Sequence, residues 1–342
     1  VTIHSPLVEP VMAGIEITGL TKRYGEHTAI DSVNLVVEKG EVFGFLGPNG
    51  AGKSTTINQL LGFAHPSEGS ASVLGHDATE ELMAVREQIG ILPEGYDLYP
   101  RLTGLEHLQF AIDSKDGTDD PAALLDRVGL DYEDGQRRVG EYSKGMKQRL
   151  ALAMALAGDP DLLLLDEPSS GLDPTGVRRL QEIVREEQAA GTTVFFSSHV
   201  LGHVEAVCDR VGIMRDGQLV AVDTIAGLRE TANATDRLKL TLDPVPDVDF
   251  TSIPGVVTAE IEEPVVDIAC VAPKAKGTAV IRAAGAGSTL LDIRTEEPSL
   301  ADLFEAYTTS ETIPSSDSSG SNSPSDNSGT SPAQQTIEEG AE

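Results

Sequence analysis

The residues best suited to chemistry are Gly47, Pro48, Asn49, Gly50, Ala51, Gly52, Lys53 and Ser54, which follow one another without a gap. They fit the pattern G-x-x-x-x-G-K-[ST] in full. Glycines at these places let successive backbone N–H groups turn inward around phosphate oxygens. A helix starting near Lys53 would aim its positive end at the same charge. Lys53 would reach the β and γ phosphates of a nucleotide. Ser54 would offer its hydroxyl to Mg2+, and Thr55 would support the phosphates. A glycine-rich turn with an incidental lysine is the competing account. The strand-like run Glu41–Leu46 before the loop and the helical run Ser54–Leu61 after it favour the phosphate cradle.

A second group is Asp166 and Glu167, which close the apolar run Leu162–Leu165. Carboxylates at the end of a buried strand are costly unless they have partners. Beside a phosphate cradle, Asp166 can hold Mg2+ opposite Ser54, and Glu167 can polarise an attacking water as general base. An ordinary Asp-Glu-Pro turn reaching solvent is the bland alternative.

These groups need elements to position them. Ile15–Thr21 and Val33–Val37 read as strands, and Leu162–Asp166 and Thr193–Ser197 as buried strands. Thr103 and Glu106 form a capping box. Asp120-Pro121 opens a helix that Gly129 stops, and Asp173-Pro174 opens a longer one that Gly191 stops. Ser143 reads as the N-cap of a helix through Ala157. Val211–Arg215 and Gln218–Val222 flank Asp216-Gly217 as a tight hairpin. The alternation predicts an α/β fold with a largely parallel central sheet. Arg237–Tyr307 differs: four short strands and helices near Thr278–Ala284 and Ser299–Tyr307 predict a small α+β domain. Beyond Glu311 almost nothing is apolar, so a disordered tail is expected. The expected divisions are an extension 1–14, a main domain 15–228, an accessory domain 236–310 and a tail 311–342.

Among 342 residues, 55 are acidic and 25 basic, a net charge of −30. Such a chain repels nucleic acid, so no nucleic-acid partner is expected. The same surface reads as adaptation to high salt, where screening makes dense charge tolerable. Cys208 and Cys270 have no metal or redox spacing and read as buried apolar residues, which suits a cytoplasmic setting. No run is apolar enough to span a bilayer, and the start does not read as a signal peptide. His27, His65, His76, His107 and His203 read as surface residues. The charged helix Pro174–Ala190 reads as a solvated face with helix-spaced ion pairs.

Further motifs carry a resemblance. Tyr142-Ser143-Lys144-Gly145-Met146-Lys147-Gln148-Arg149 precedes the acidic strand. It resembles the signature of ATP-binding cassette (ABC) proteins, usually Leu-Ser-Gly-Gly-Gln. Ser143 and Gly145 match; Tyr142, Lys144 and Met146 depart. Ser169–Asp173 resembles the D-loop, Ser197-Ser198-His199 the switch-histidine motif, and Tyr24 the aromatic residue that stacks on adenine. Residues 15–228 thus resemble an ABC nucleotide-binding domain, a P-loop fold with a mixed sheet core and a helical subdomain. The resemblance implies an ATPase in which two copies sandwich ATP. Ser143–Met146 of one copy would face the nucleotide held by the other, Asp173 would report across the dimer, and His199 would contact the γ-phosphate. Glu94 stands where the family's Q-loop carries glutamine. It would meet Mg2+ or water and take the coupling role.

The motif style, with Leu92-Pro93-Glu94 and the ending Glu297–Tyr307, resembles the ABC-2 exporters. It implies a membrane permease partner and a place on the inner face of the cell membrane. Tyr142–Leu150 and Ser198–Leu201 resemble the member that serves copper-site maturation of nitrous oxide reductase. The acidic composition resembles haloarchaeal proteins. A soluble ABC ATPase without transport is the alternative, and a neighbouring membrane-protein gene separates the two.

Overall fold

The structure is a computed structural model that describes residues 13–231, 236–296 and 299–309. The expected extension, apart from Ala13 and Gly14, and the expected tail lie outside the described residues.

The chain opens with β1 (Ala13–Tyr24) and β2 (His27–Glu38), followed by β3 (Val42–Leu46) and α1 (Lys53–Leu60). Next come β4 (Glu68–Val73), β5 (His76–Asp77), α2 (Leu82–Gln88) and β6 (Ile89–Leu92). A helical region follows: α3 (Gly104–Asp113), α4 (Pro121–Arg127), α5 (Tyr132–Gln136) and α6 (Lys144–Ala155). The chain then returns to the sheet with β7 (Leu162–Asp166), α7 (Pro174–Ala190), β8 (Thr193–Ser198) and α8 (Leu201–Glu205). The hairpin β9 (Arg210–Arg215) and β10 (Gln218–Asp223) and the helix α9 (Ile225–Thr231) follow. A separate sheet is built by β11 (Asp236–Asp243), β12 (Val256–Glu262), β13 (Val265–Cys270) and β14 (Thr289–Glu296), with α10 (Pro273–Gly285) before β14 and α11 (Leu300–Thr309) after it.

The central sheet has the order β10-β9-β3-β8-β7-β6. All its pairs are parallel except β10 with β9. Its middle strands are buried along their whole length, so they read as continuous apolar runs such as Leu162–Leu165. Each such leucine removed from water contributes about 2 kcal/mol. An antiparallel sheet, β2-β1-β4-β5, lies apart in the strand order. Its long hairpin alternates buried and exposed residues, as a sheet covered on one face must. Ile15, Ile17, Leu20 and Val37 from this sheet share one core with Phe43, Phe45 and Phe195 of the central sheet. Phe43 and Phe195 stack with centroids 5.8 Å apart.

The expected helix boundaries follow their caps. The Thr103 side chain accepts from the Glu106 amide while Glu106 reaches back to Thr103. Asp173 caps α7, Pro174 takes its first turn, and Gly191 ends it at φ 99°. Asp216 and Gly217 both have positive φ, the geometry of a two-residue hairpin turn.

Several expectations need correction. His107 is not at the surface; it is buried, accepts from the Tyr99 amide at Nε2 and meets the Thr103 carbonyl at Nδ1. Glu187 is not on a solvated face. It is buried, paired with Arg127, and accepts from Thr192. The rest of that helix does carry helix-spaced pairs, Arg179 with Glu182 and with Glu186. Cys208 is only partly buried. Finally, α11 does not complete the small sheet. Its Leu300 and Leu303 are buried in the same core as Leu165, Val211 and Leu228, and it packs on α8, α9 and β9.

Gly90 shows how tightly the helical region meets the sheet. A Cβ there would lie 1.9 Å from the Ala155 carbonyl oxygen and 2.7 Å from Leu163 Cδ2. Neither β6 nor the end of α6 can yield without losing backbone hydrogen bonds. Gly90→Ala is expected to cost about 3 kcal/mol, read as a lower urea midpoint; an unchanged midpoint would refute this contact.

Candidate functional site

Strand order builds the site. β3, β8, β7 and β6 are neighbours and run parallel, so their C-terminal ends share one edge. The phosphate loop follows β3, the pair Asp166 and Glu167 ends β7, His199 follows β8, and Glu94 follows β6. Residues far apart in the chain therefore meet outside the carboxyl ends of the strands, where open α/β sheets bind ligands.

The loop itself is shaped by close approach. A Cβ on Gly47 would meet the Met214 carbonyl oxygen at 2.8 Å, and one on Gly52 the Ala29 carbonyl oxygen at 2.7 Å. Gly52 also sits at φ 108° as the residue before α1. Ala51 is buried beneath the loop, and its amide donates to the Pro48 carbonyl. Lys53 is buried. Its ammonium donates to the Gly47 carbonyl at 2.7 Å and to the Pro48 carbonyl at 3.4 Å, and lies 4.0 Å from Glu167 Oε1. A cation folded against carbonyls with one carboxylate in reach is placed to receive phosphate oxygens.

The acids are held by Ser197. Its hydroxyl donates to Asp166 and accepts from the Glu167 amide at 3.0 Å. Glu167 adopts φ 49°, an uncommon conformation for a side chain of this size and one that clusters at functional sites. It aims its carboxylate at His199, whose Nδ1 lies 2.8 Å from Oε2. Ser54 donates to Glu94 at 3.3 Å. Burial pushes the Asp166 carboxyl above its ordinary range; hydrogen bonds from Ser197 and Ser54 oppose this, and the charges of Glu94 and Glu167 add to it. Two acids, Glu94 and Asp166, share the Ser54 hydroxyl, with the Glu167 charge beside them. These hard oxygen donors fit Mg2+, which takes few protein ligands and keeps places for water and phosphate. Ser54, Asp166 and Glu94 would hold the ion, whose charge would offset that of the phosphates.

The cleft over this edge holds about 520 Å³. Asn49, Gly50, Gly52, Lys53, Ser54 and Thr55 line it, with Glu94, Glu167 and His199 opposite. Tyr24 reaches it from the β1–β2 turn, half exposed, with the Lys22 ammonium 4.9 Å from its ring centre. His27, Ala29 and Ser170 also line it. His27 is exposed, as its surface reading expects, and it pairs with Tyr24 across the hairpin, a proximity that only the turn reveals. Ser197 had read only as part of a motif, because its role depends on β8 lying beside β7.

The segment 143–146 adjoins the cleft through Lys144, which lines a neighbouring hollow with Glu94, Asp166, Glu167 and Ser170. Ser143 caps α6 by accepting from the Met146 amide at 3.2 Å. Lys144 donates to Ser170 at 3.2 Å, and a Cβ on Gly145 would lie 3.1 Å from the Gly171 carbonyl oxygen. Asp173 accepts from the Gly176 amide and pairs with Arg149 at 3.0 Å. The amide bond first and Arg149 second hold its carboxyl below the usual range. Tyr142 is buried, its hydroxyl donating to the Asp134 carbonyl, so it braces the helical region. None of Ser143, Lys144, Gly145 or Met146 lines the cleft of its own chain.

A P-loop on a parallel sheet, paired acids two strands away and a histidine on the strand between them define a nucleotide-hydrolysing cassette. The model of the ABC transporter family matches residues 30–170. The linearmycin resistance ATP-binding protein of Bacillus subtilis is 32% identical over 301 residues, 85% of this chain and 96% of its own. A fluoroquinolones export ATP-binding protein of Mycobacterium tuberculosis is 41% identical over 63% of this chain and 72% of its own. An uncharacterized ABC transporter ATP-binding protein of Nostoc is 42% identical; the match spans 59% of this chain and 63% of the relative. The dimeric, post-hydrolysis structure of an ATP-binding cassette bound to ADP and Pi superposes with a TM-score of 0.58 at 25% identity, covering 62% of this chain and 98% of that one. The chain belongs to the ABC transporter ATP-binding proteins, and it is an ATPase of that family.

Proposed function

We propose that this chain is the ATP-hydrolysing subunit of an ABC-2 type exporter, working as a pair of copies against a separate membrane permease. The observation that carries the pairing is that Ser143, Gly145 and Met146 stay out of the lining of the chain's own cleft. A serine cap and a glycine at the start of α6 present backbone donors suited to phosphate, and neither residue lines the cleft of its own chain. A second copy, turned head to tail, supplies that phosphate. Ser143 and Gly145 then donate to it, and Lys144 adds charge. Asp173, fixed by Arg149, sits at the turn between the two active edges and reports across the pair.

Within each cleft the chain's residues have separate tasks. The loop Gly47–Gly52 and Lys53 bind and orient the phosphates, and Tyr24 stacks on the base. Glu167 accepts the proton of the attacking water, while His199 holds its carboxylate and meets the γ-phosphate. Glu94 links Ser54 to the helical region, so phosphate loss is transmitted to α3–α6.

An apolar groove of about 570 Å³ begins three residues beyond Glu94, lined by Leu98, Tyr99, Leu102, Phe110 and Met154. Tyr99 and Phe110 stand about two-thirds exposed, at 68% and 67%. His107 pins the groove's loop to α3. We assign this groove to the permease. Phe110→Asp is expected to abolish co-purification with the membrane partner and leave ATP binding intact; retention of the complex would reject the assignment.

The export direction draws on the Leu-Pro-Glu and Tyr-Ser-Lys-Gly-Met motifs and on the relatives' printed names. The copper-site maturation reading, which draws on Tyr142–Leu150 and Ser198–Leu201, separates from drug export in a transport assay with the neighbouring permease. The salt-adapted reading of the surface charge has its own test. The unfolding temperature is expected to climb steeply with KCl, and a flat response would reject it.

A further inference from the structure

The small sheet ends in an unusual edge. Its order is β12-β13-β11-β14, so β14 pairs on one side only among the described strands. All eight residues of β14 are exposed. They include Leu291 and Ile293, 60% and 47% exposed. A long edge strand with apolar side chains is a template for another strand; the Ile293 amide, which donates to its own Asp292 at 2.9 Å, would exchange that bond for one across the pair. The opposite edge, β12, is guarded: it carries Glu260 and Glu262 with no basic residue, and the turn at Phe250–Ser252 packs against it.

The sequence of β14 is complementary to itself. It reads Thr-Leu-Leu-Asp-Ile-Arg-Thr-Glu. Consider two copies antiparallel, with a twofold axis through Ile293. Asp292 of each then lies opposite the partner's Arg294, twice over, and Ile293 faces its own counterpart. Within one chain these two side chains already share a face, with Asp292 Oδ2 3.0 Å from Arg294 Nε. Opposite charges across an antiparallel pair stabilise it, and like charges oppose it. A peptide of unrelated sequence would not find this match, and the matching register is fixed by one residue. Each chain carries a net charge of −30, so two copies repel at long range. A contact that alternates acid and base overcomes that repulsion locally, and salt screens the remainder.

We infer that β14 is a homodimer contact: two copies join their small sheets edge to edge into one eight-stranded sheet, without nucleotide. This pairing is separate from the ATP sandwich, because it uses none of the residues of the cleft or of 143–146.

The test is sedimentation velocity of the full chain, free of nucleotide, in high KCl. A dimer is expected. Asp292→Arg sets like charges opposite each other at two places and should weaken it about tenfold or more. Asp292→Arg combined with Arg294→Asp restores complementarity and should restore the dimer, which a merely unfolded sheet could not do. Ile293→Cys should cross-link into a dimer under mild oxidation, whereas Val257→Cys, of similar exposure on β12, should not. A nucleotide-free monomer, a dimer indifferent to Asp292→Arg, or equal cross-linking from both cysteines would overturn the inference. Adding ATP to Glu167→Gln in the Asp292→Arg background reads the sandwich on its own. Dimerisation there confirms that the edge contact is the one that was lost. If the nucleotide-free dimer stands and ATP adds no closed cleft, the edge contact stands and the sandwich falls.

Discussion

Glu167→Gln is expected to bind ATP and to lose roughly 10²–10⁴-fold in turnover, the usual contribution of a positioned general base. The amide keeps the shape of the carboxylate and can still accept from His199, which now lies 2.8 Å away. It cannot take a proton from water. Nothing in the substitution weakens the loop, since Lys53 holds its place through the Gly47 and Pro48 carbonyls as well as near Glu167. ATP-bound enzyme therefore accumulates, and the pair of copies should become visible by light scattering. Single-turnover kinetics give the check. Chemistry at the wild-type rate would remove Glu167 from the role of base and shift attention to His199.

Lys53→Ala should act at the earlier step. The ammonium is the one lysine or arginine charge in the cleft lining, set to meet the β and γ phosphates. Charge-assisted hydrogen bonds of this kind contribute about 1.5–3 kcal/mol each, so ATP affinity should fall by roughly 10²-fold or more. The loop should keep its shape, because its glycines and the buried Ala51 set it. Titration with a fluorescent ATP analogue decides the matter. An unchanged Kd would mean that the backbone amides and α1 alone carry the phosphates.

Contiguous chemistry was legible: the loop Gly47–Ser54, the Asp166-Glu167 pair, and caps at Thr103, Asp120, Asp173 and Gly191 all depend on neighbours in the chain. Ser197 was not, because its two bonds to the acids exist only once β8 lies beside β7. His27 reaches the cleft only through the β1–β2 register. His107 and Glu187 were misread because a lone polar residue on a helix gives no sign of the partner that buries it. The antiparallel sheet escaped notice for the same reason: β4 and β5 have little apolar alternation of their own, and β1 supplies their context.

The mounting of α11 carries a mechanical consequence. The chain leaves the cassette after α9, makes the small sheet, and comes back to seat α11 on α8, α9 and β9. A body tethered at one end can swivel freely; one anchored at both ends can only rock about the line between its anchors. One of those seats, α8, starts two residues beyond His199. A tilt of that helix as the γ-phosphate departs would be passed directly to α11, which packs on it.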